Sequence, residues 1–432
     1  MNLFLKSFLK SFWFFVALIL CALPIEARAQ LVADGQTNVL EGGVATNLTG
    51  GIIIGTNGAF TLLVITDGAT VTNTSGNSAI GYNTSAQSNR VVVALTGSVW
   101  NNNGAIYVGQ NGSASEMDIL DGGLVTDASG VIGQNSTSSN NFVLVSGTGS
   151  MWSNTSSLYV GNGGSCNTLI VTNGGTVFSG NGVSYVSKSP GASSNAVLIT
   201  GSGSSWSSGY FNLGYSAGGH NRFLINNGGT FTTSSTLDIG VYDNSNLLTV
   251  ADAGSSVQCQ MFRMSYASTG NQCVVSNGAT LAVALSSQPT TVEGTFTAAT
   301  VTGAGSVWTN GGDFDFGQYS NVLSITSGGR LVDNNGYIEN GNGKPNTVIV
   351  AGTNSLWNNL GDLHVADSGA QLLITNGAMV VDKNAYVGES AGNNNCYVLV
   401  AGVGSMWTNR NAYLDGNDEG SLYLGKTARP TH

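Results

Sequence analysis

The segment Leu169-Ile170-Val171-Thr172-Asn173-Gly174-Gly175-Thr176-Val177 decides the fold, because versions of it recur about every 50 residues. Its Asn-Gly marker becomes Asp-Gly or Ser-Gly in other copies. Glycine, Asn and Asp tolerate positive φ at low cost, so we predict a tight turn at each marker. The marker glycines are Gly68, Gly122, Gly174, Gly228, Gly278, Gly328 and Gly377.

Apolar residues occupy three fixed positions around each marker, and the position between the first two is mixed, including Asp118 and Ser324. This alternation predicts strands of period two whose apolar columns face a core. Five residues before the glycine stand Leu63, Met117, Leu169, Phe223, Cys273, Leu323 and Leu372. Three before it stand Ile65, Ile119, Val171, Ile225, Val275, Ile325 and Ile374. Three after it stand Val71, Val125, Val177, Phe231, Leu281, Leu331 and Val380.

Tryptophan supplies a second marker with the same spacing. In Gly254-Ser255-Ser256-Val257 the tryptophan position is occupied by Val257. Because indoles recur at one position of the repeat, we predict a buried structural ladder. Its members are Trp100, Trp152, Trp206, Trp308, Trp357 and Trp407.

A unit of about 50 residues built from such short strands cannot close its own core, but stacked units can. Each unit has a tryptophan half and an Asn-Gly half, which we interpret as two coils. With an N-terminal coil at 39–54, seven units predict about fifteen coils and a rod of roughly 70 Å at about 4.8 Å per coil. We therefore expect an all-β fold, a right-handed parallel β-helix (solenoid) over residues 30–432. A seven-bladed β-propeller is the alternative, disfavoured because polar turns come too often for four long antiparallel strands.

Residues 1–29 have the pattern of a signal peptide, with Lys6 and Lys10 before an apolar stretch and Ala27-Arg28-Ala29 as cleavage site. The apolar stretch is too short to span a bilayer, and the mature chain shows no second one. Cys21 raises a lipoprotein alternative, but Leu20 precedes it where lipidation motifs prefer a small residue. We expect an exported protein of the periplasm, outer surface or extracellular space.

Beyond residue 29 the chain keeps 10 Lys and Arg against 22 Asp and Glu, a net charge of −12. Such an acidic surface argues against nucleic acid and anionic membranes as partners. The remaining cysteines occupy different places in the repeat, so we expect free thiols, with Cys259–Cys273 the one pair close enough in sequence to consider. The four are Cys166, Cys259, Cys273 and Cys396.

The repeat resembles a family of known proteins. Gly201-Ser202-Gly203-Ser204-Ser205-Trp206, the segment at 158–164 and the segment at 169–177 are similar to the repeat shared by autotransporter passenger domains and PEP-CTERM-associated surface proteins. The resemblance covers most of residues 60–415 and implies a bacterial envelope or extracellular protein with a structural or adhesive role. Neither an outer-membrane barrel pattern nor a Pro-Glu-Pro sorting tail is present in this sequence. A partner translocator is therefore one expected partner.

Two motifs near the C-terminus match functional patterns by letter. The segment 420–427 fits G-x-x-x-x-G-K-[ST], but too few residues follow it for the helix that a phosphate loop needs. The segment 415–420 resembles the start of an EF-hand, but Lys426 stands where the bidentate Glu is required. We therefore predict no cofactor or metal site. The last coil, with the apolar Leu422 and Leu424, predicts an end that either docks to a partner or associates end to end with another copy.

Catalytic signals are weak. His364 lies between Asp362 and Asp367, in the column that carries Tyr107 and Tyr159 in other copies, and we interpret it as an exposed strand histidine. An enzymatic alternative is a polysaccharide lyase or glycosidase, with Asp313, Asp315 and Asp362 as the candidate carboxylates. Because Tyr, Asn and Ser recur at one coil spacing, we favour binding of a surface glycan over its cleavage. The expected function is a structural or adhesive element at the surface or in the matrix, and a carbohydrate-binding or polysaccharide-degrading β-helix is the alternative.

Overall fold

The structure is a computed structural model, and it describes residues 31–285, 287–339, 344–366, 369–388 and 396–410, with the backbone of 422–424. The predicted signal peptide lies outside the described residues. So do Cys21, Asp367, the residues of the EF-hand-like segment and most of the segment at 420–427. Among the described residues, no helix is long and apolar enough to cross a membrane.

Three parallel sheets, each with 15 strands, form the described chain. Every coil contributes one strand to each sheet in turn. The first sheet contains Thr37–Leu40, Leu62–Ile65, Arg90–Ala94, Glu116–Leu120, Phe142–Ser146, Thr168–Thr172, Ala196–Thr200, Arg222–Asn226, Leu247–Ala251, Gln272–Ser276, Ala298–Thr302, Val322–Thr326, Thr347–Ala351, Gln371–Thr375 and Tyr397–Ala401. The second contains Ala45–Leu48, Thr70–Asn73, Val99–Asn102, Leu124–Asp127, Met151–Asn154, Thr176–Ser179, Ser205–Ser208, Thr230–Thr233, Ser256–Cys259, Thr280–Val283, Val307–Asn310, Arg330–Asp333, Leu356–Asn359, Met379–Asp382 and Met406–Asn409. The third contains Ile53–Ile54, Ser78–Ile80, Ile106–Val108, Gly130–Ile132, Leu158–Val160, Val183–Val186, Tyr210–Leu213, Thr236–Ile239, Met261–Met264, Thr290–Val292, Phe314–Phe316, Gly336–Ile338, Leu363–Val365, Ala385–Val387 and Leu422–Leu424.

Each strand pairs with the strand one coil later in register, as Leu169 does with Val143 before it and Val197 after it. The predicted parallel β-solenoid and its number of coils are confirmed. The propeller alternative is wrong, because its blades require antiparallel strands. The backbone groups of the strands are satisfied along the axis rather than within a coil, so a single repeat has no fold of its own.

The apolar columns of the first sheet form one side of the core, with Leu169, Val171 and their equivalents fully buried. The third apolar column, which follows the marker glycine, is the same column as the tryptophans. Val125 pairs with Trp100 before it and Trp152 after it, and Phe231 pairs with Trp206 and Val257. Tryptophan coils therefore alternate with aliphatic or Phe coils, except that Val257 replaces one tryptophan, and this alternation explains why the sequence period is two coils.

The marker glycines form tight turns between the first and second sheets. At Asn173-Gly174 both residues have positive φ (52° and 82°), and the Gly175 amide donates to the Thr172 carbonyl at 2.9 Å. The Gly174 amide then donates to Ser204 Oγ of the next coil at 3.0 Å. The same amide–serine bond ties all seven marker turns to the following coil, through Ser98, Ser150, Ser204, Ser255, Ser306, Ser355 and Ser405.

Buried asparagines form a further ladder just before the strands of the first sheet. The amide of Asn141 donates to Asn167 Oδ1 at 3.0 Å, and that of Asn167 donates to Asn195 Oδ1 at 2.9 Å. The ladder continues through Asn221 and Asn246. The ladder also requires glycine in the facing turn, because a Cβ on Gly161 (φ 79°) would lie 2.2 Å from the side-chain amide nitrogen of Asn195.

Candidate functional site

The predicted tryptophan ladder lies in the interior. Trp100, Trp152, Trp206, Trp308 and Trp357 are fully buried, and Trp407 is partly buried. Indoles do not stack directly on one another, because a smaller residue or Phe231 separates consecutive members. The five fully buried indoles therefore offer no aromatic surface to a ligand.

Most of these indoles donate a hydrogen bond to a polar side chain at the end of the second-sheet strand one coil earlier. The pairs are Trp100 with Asn73, Trp152 with Asp127, Trp206 with Ser179, Trp357 with Asp333, and Trp407 with Asp382. Burial raises the pKa of Asp127 and of Asp333 to about 8 and that of Asp382 to about 6, although the indole hydrogen bond acts in the opposite direction. These carboxyls are structural acceptors inside the core.

The candidate carboxylates for catalysis are only partly brought together. Asp313 and Asp315 belong to one coil, and Asp362 lies two coils further on. Asp313 Oδ1 accepts hydrogen bonds from the side chains of Asn334 (2.8 Å) and Asn335 (2.9 Å). Asp362 Oδ1 accepts from Asn384, and its amide donates to Asn335 Oδ1. Both carboxylates therefore serve a polar ladder along the edge of the third sheet.

Asp315 faces outward in the third sheet. Burial, followed by repulsion from Glu293 and Asp313, raises the pKa of Asp315 to about 6. A carboxyl with a raised pKa has the property required of a general acid. Its column continues with Tyr337, His364 and Tyr386.

His364 lies in this outward column, as the sequence predicts, but it is not a freely exposed side chain. Its ring is stacked between those of Tyr337 and Tyr386, with centroids 4.7 Å away on both sides and interplanar angles of 12° and 7°. Across the described part of the chain, no group of three or more His, Cys, Asp or Glu side chains could hold a metal ion. The four cysteines after residue 29 are free thiols, and Cys259 and Cys273 are buried.

A row of tyrosines follows five consecutive coils beside the third sheet. Tyr159 stacks on Tyr185 (centroids 5.6 Å apart, 8°), and Tyr185 contacts Tyr215 edge-on at 5.5 Å. Tyr215 contacts Tyr242 at 6.1 Å, and Tyr242 contacts Tyr266 at 6.3 Å. The row moves from the strand column to the corner that follows the strand. Tyr215, Tyr242 and Tyr266 therefore project beyond the sheet.

A groove of about 390 Å³ lies between this row and the outer face of the third sheet. Its polar centre is a closed triad, in which Arg263 Nε and Nη2 donate to the two oxygens of Asp238 at 2.8 Å each. Arg263 Nη2 also donates to Tyr210 Oη at 2.6 Å, and the Tyr210 hydroxyl donates to Asp238. Burial and then the bond to Asp238 raise the pKa of Tyr210, while the bond to Asp238 raises that of Arg263. We call this groove, whose lining includes Tyr210, Tyr215, Asp238, Tyr242, Arg263 and Tyr266, the tyrosine groove.

The tyrosine groove was not predicted from the sequence. Asp238 and Arg263 occupy equivalent positions of neighbouring coils and pair directly in register, while Tyr210 lies two residues before the equivalent position, Asn212, of the preceding coil. The spacing of 25 residues between Asp238 and Arg263, equal to one coil, was the available signal. The tyrosines were harder to predict, because Tyr185 lies in a strand whereas Tyr215 and Tyr242 lie in the corner that follows one.

No family model matches the chain, and comparisons with curated proteins and with solved structures also found no match.

Proposed function

We propose that this chain is an exported bacterial β-solenoid with a structural or adhesive role at the cell surface or in the extracellular matrix, and that its adhesive face binds a surface glycan. The observation that carries the proposal is the tyrosine groove. It combines solvent-accessible aromatic rings with a fixed carboxylate, guanidinium and hydroxyl. Aromatic faces and a few convergent polar groups are what a polar, ring-shaped ligand requires.

The regular coils support a structural rather than a catalytic role. A rod of stacked coils presents the same outer positions at intervals of about 4.8 Å, which suits a polymeric ligand. The sequence resemblance to autotransporter passengers and PEP-CTERM-associated proteins supports a location outside the cell. An envelope or translocator protein is then the proposed partner for export, and association between rods is a further proposal.

A sedimentation assay tests the adhesive role. Purified chain from residue 30 onward should co-sediment with at least one insoluble polysaccharide of bacterial, plant or fungal origin, and the polymer should remain intact. Absence of co-sedimentation with every polymer would overturn the proposal. Export is tested separately by fractionating cells that produce the full chain and sequencing the N-terminus of the product, which should begin at Gln30.

Cleavage of the glycan is the alternative, and the raised pKa of Asp315 is the observation that favours it. A lyase or glycosidase would release new sugar ends during the sedimentation assay, and Asp315→Asn would abolish that release while leaving binding intact. Release that persists in Asp315→Asn would exclude Asp315 as the acid.

A further inference from the structure

We propose that the tyrosine groove selects neutral hexopyranose oligosaccharides, with sugar faces packed on Tyr215, Tyr242 and Tyr266 and sugar hydroxyls bound by the Asp238–Arg263–Tyr210 triad. This inference rests on the proposed glycan binding and adds the chemical class of the ligand and its location on the rod.

The available aromatic surface is concentrated at one end of the tyrosine row. Exposure rises from 37% at Tyr215 to 52% at Tyr242 and 61% at Tyr266. Tyr159 and Tyr185 are less available, because they stack on each other and Lys188 Nζ lies 4.8 and 5.5 Å from their ring centroids. Three successive corner tyrosines remain as a platform for the apolar faces of sugar rings.

A buried carboxylate fixes the corners that carry these tyrosines. Asp243, the residue after Tyr242, is fully buried. Its carboxylate accepts hydrogen bonds from the Gly218 and Asn244 amides at 2.8 and 3.1 Å and from Asn221 Nδ2 at 3.1 Å. These bonds join neighbouring corners, so the spacing of the tyrosines is fixed before a ligand binds. Such preorganisation reduces the entropy cost of binding.

The triad supplies directional polar contacts. Asp238 is 3% exposed, and three hydrogen bonds from Arg263 and Tyr210 fix its carboxylate. Arg263 lines the groove and keeps about 40% of its side chain exposed. A guanidinium held this way offers N–H donors in a fixed plane, which suits neighbouring hydroxyls of one sugar ring.

The charge balance argues for a neutral ligand. Two cations, Lys188 and Arg263, lie at the groove. Three acids lie beside them: Asp238 bonds Arg263, Asp243 follows Tyr242 in the chain, and Glu293 interacts electrostatically with Arg263. The charge of Arg263 is therefore matched by Asp238 at hydrogen-bond distance. Because the chain beyond residue 29 carries −12, an acidic polysaccharide would also be repelled at long range.

Isothermal titration of purified chain from residue 30 onward tests the inference. The neutral probes are oligosaccharides derived from cellulose, laminarin, amylose and mannan, and the anionic probes derive from polygalacturonate and alginate. We expect at least one neutral probe to bind, with little dependence on salt. Tyr242→Ala and Tyr266→Ala should each weaken that binding about tenfold or more. The matched control is Tyr82→Ala, a tyrosine that also follows a third-sheet strand but lies many coils from the groove; it should leave binding and the melting temperature unchanged.

Failure of this inference can be separated from failure of the proposed function. Binding of the anionic probes alone, or neutral binding that survives both groove variants, would overturn the inference and leave glycan binding standing. If no soluble probe binds, the inference is overturned, and if no insoluble polysaccharide retains the protein either, the proposed function is overturned as well. Binding is measured well below the melting temperature of each variant. Tyr242→Phe, which keeps the ring, should retain most of the binding, and a loss equal to that of Tyr242→Ala would overturn the role of the ring.

Discussion

Trp308 lies one coil after Val283. Of the fully buried indoles in the described chain, that of Trp308 is the one whose nitrogen has no hydrogen-bond partner. The equivalent pair Trp357–Asp333 has an indole-to-carboxylate bond of 2.8 Å, with both side chains fully buried. The difference follows from sequence, because Val283 occupies the position that holds Asn73, Asp127, Ser179, Asp333 or Asp382 under the other indoles. An unpaired buried donor costs about 1–3 kcal/mol.

Val283→Thr should therefore stabilise the protein, because the threonine hydroxyl can accept the Trp308 N–H at almost unchanged volume. We expect a gain of about 1 kcal/mol in the free energy of unfolding, measured by chemical denaturation. The control is Val275→Thr, at a fully buried first-sheet position, which should be destabilising. Equal losses of stability in the two variants would show that the unpaired Trp308 indole does not lower the stability of the parent protein.

The buried carboxyls predict that stability falls as pH rises. Asp127 and Asp333 keep a proton to about pH 8 in the folded chain, whereas in the unfolded chain they release it near their ordinary pKa of 3.8. The unfolded state therefore binds fewer protons between these values, and the free energy of unfolding decreases with pH across that window. Below about pH 4 the contribution is complete, and above about pH 8 the loss levels off.

The double variant Asp127→Asn and Asp333→Asn tests this prediction, since asparagine keeps an acceptor for the indole but does not titrate. Its melting temperature should fall less than that of the parent between pH 4.5 and 8, values that bracket most of the window. Asp67→Asn, at an exposed marker turn, is the control and should keep the parental slope. Parallel pH profiles for the parent and the double variant would contradict the assignment of these carboxyls.

Trp206→Ala should destabilise the solenoid by about 3–5 kcal/mol. The indole is fully buried, with Phe211, Phe223 and Phe231 at centroid distances of 5.1, 5.9 and 5.6 Å, and its truncation leaves a cavity in this cluster. Glycan binding measured well below the melting temperature should be retained. Loss of binding without a change in stability would instead make the indole part of a ligand platform.

The apolar columns and coil number could be predicted from sequence, because a strand position such as Val171 must remain apolar in every copy. The pairing of Trp152 with Asp127 could not, since it depends on the register between coils. In the sequence the tryptophan position and the position of Val177 look like two separate features of the repeat. In the structure they belong to one column. Only the stacking of alternate coils reveals their equivalence.

The tyrosine groove was unpredictable for a related reason. The charged residues of its triad do not repeat along the chain, and a search for repeats emphasises what recurs. Asp238 and Arg263 depart from the Tyr and Asn that occupy the same outward column at Tyr185 and Asn212. In a regular solenoid, such departures at outward positions are better indicators of a binding site than the repeated residues, whose identity is set by packing.

The asparagine ladder supplies the last prediction. Asn167 accepts hydrogen bonds from the Asn141 amide and side chain, and its own Nδ2 donates to Asn195 Oδ1 at 3.0 Å in a fully buried site. Asn167→Asp keeps the shape but replaces this donor with an oxygen facing another oxygen. The ionised form would be a buried, unpaired charge, so we expect a loss of about 3 kcal/mol or more at neutral pH. The loss should shrink at acidic pH, where a protonated carboxyl can donate again. Asn173→Asp is the matched control, because it makes the same chemical change at an exposed marker turn where Asp121 already occurs in another copy. Denaturation curves at pH values near 4 and 7 measure both variants, and a similar small effect of the two substitutions at neutral pH would show that the ladder contributes little to stability.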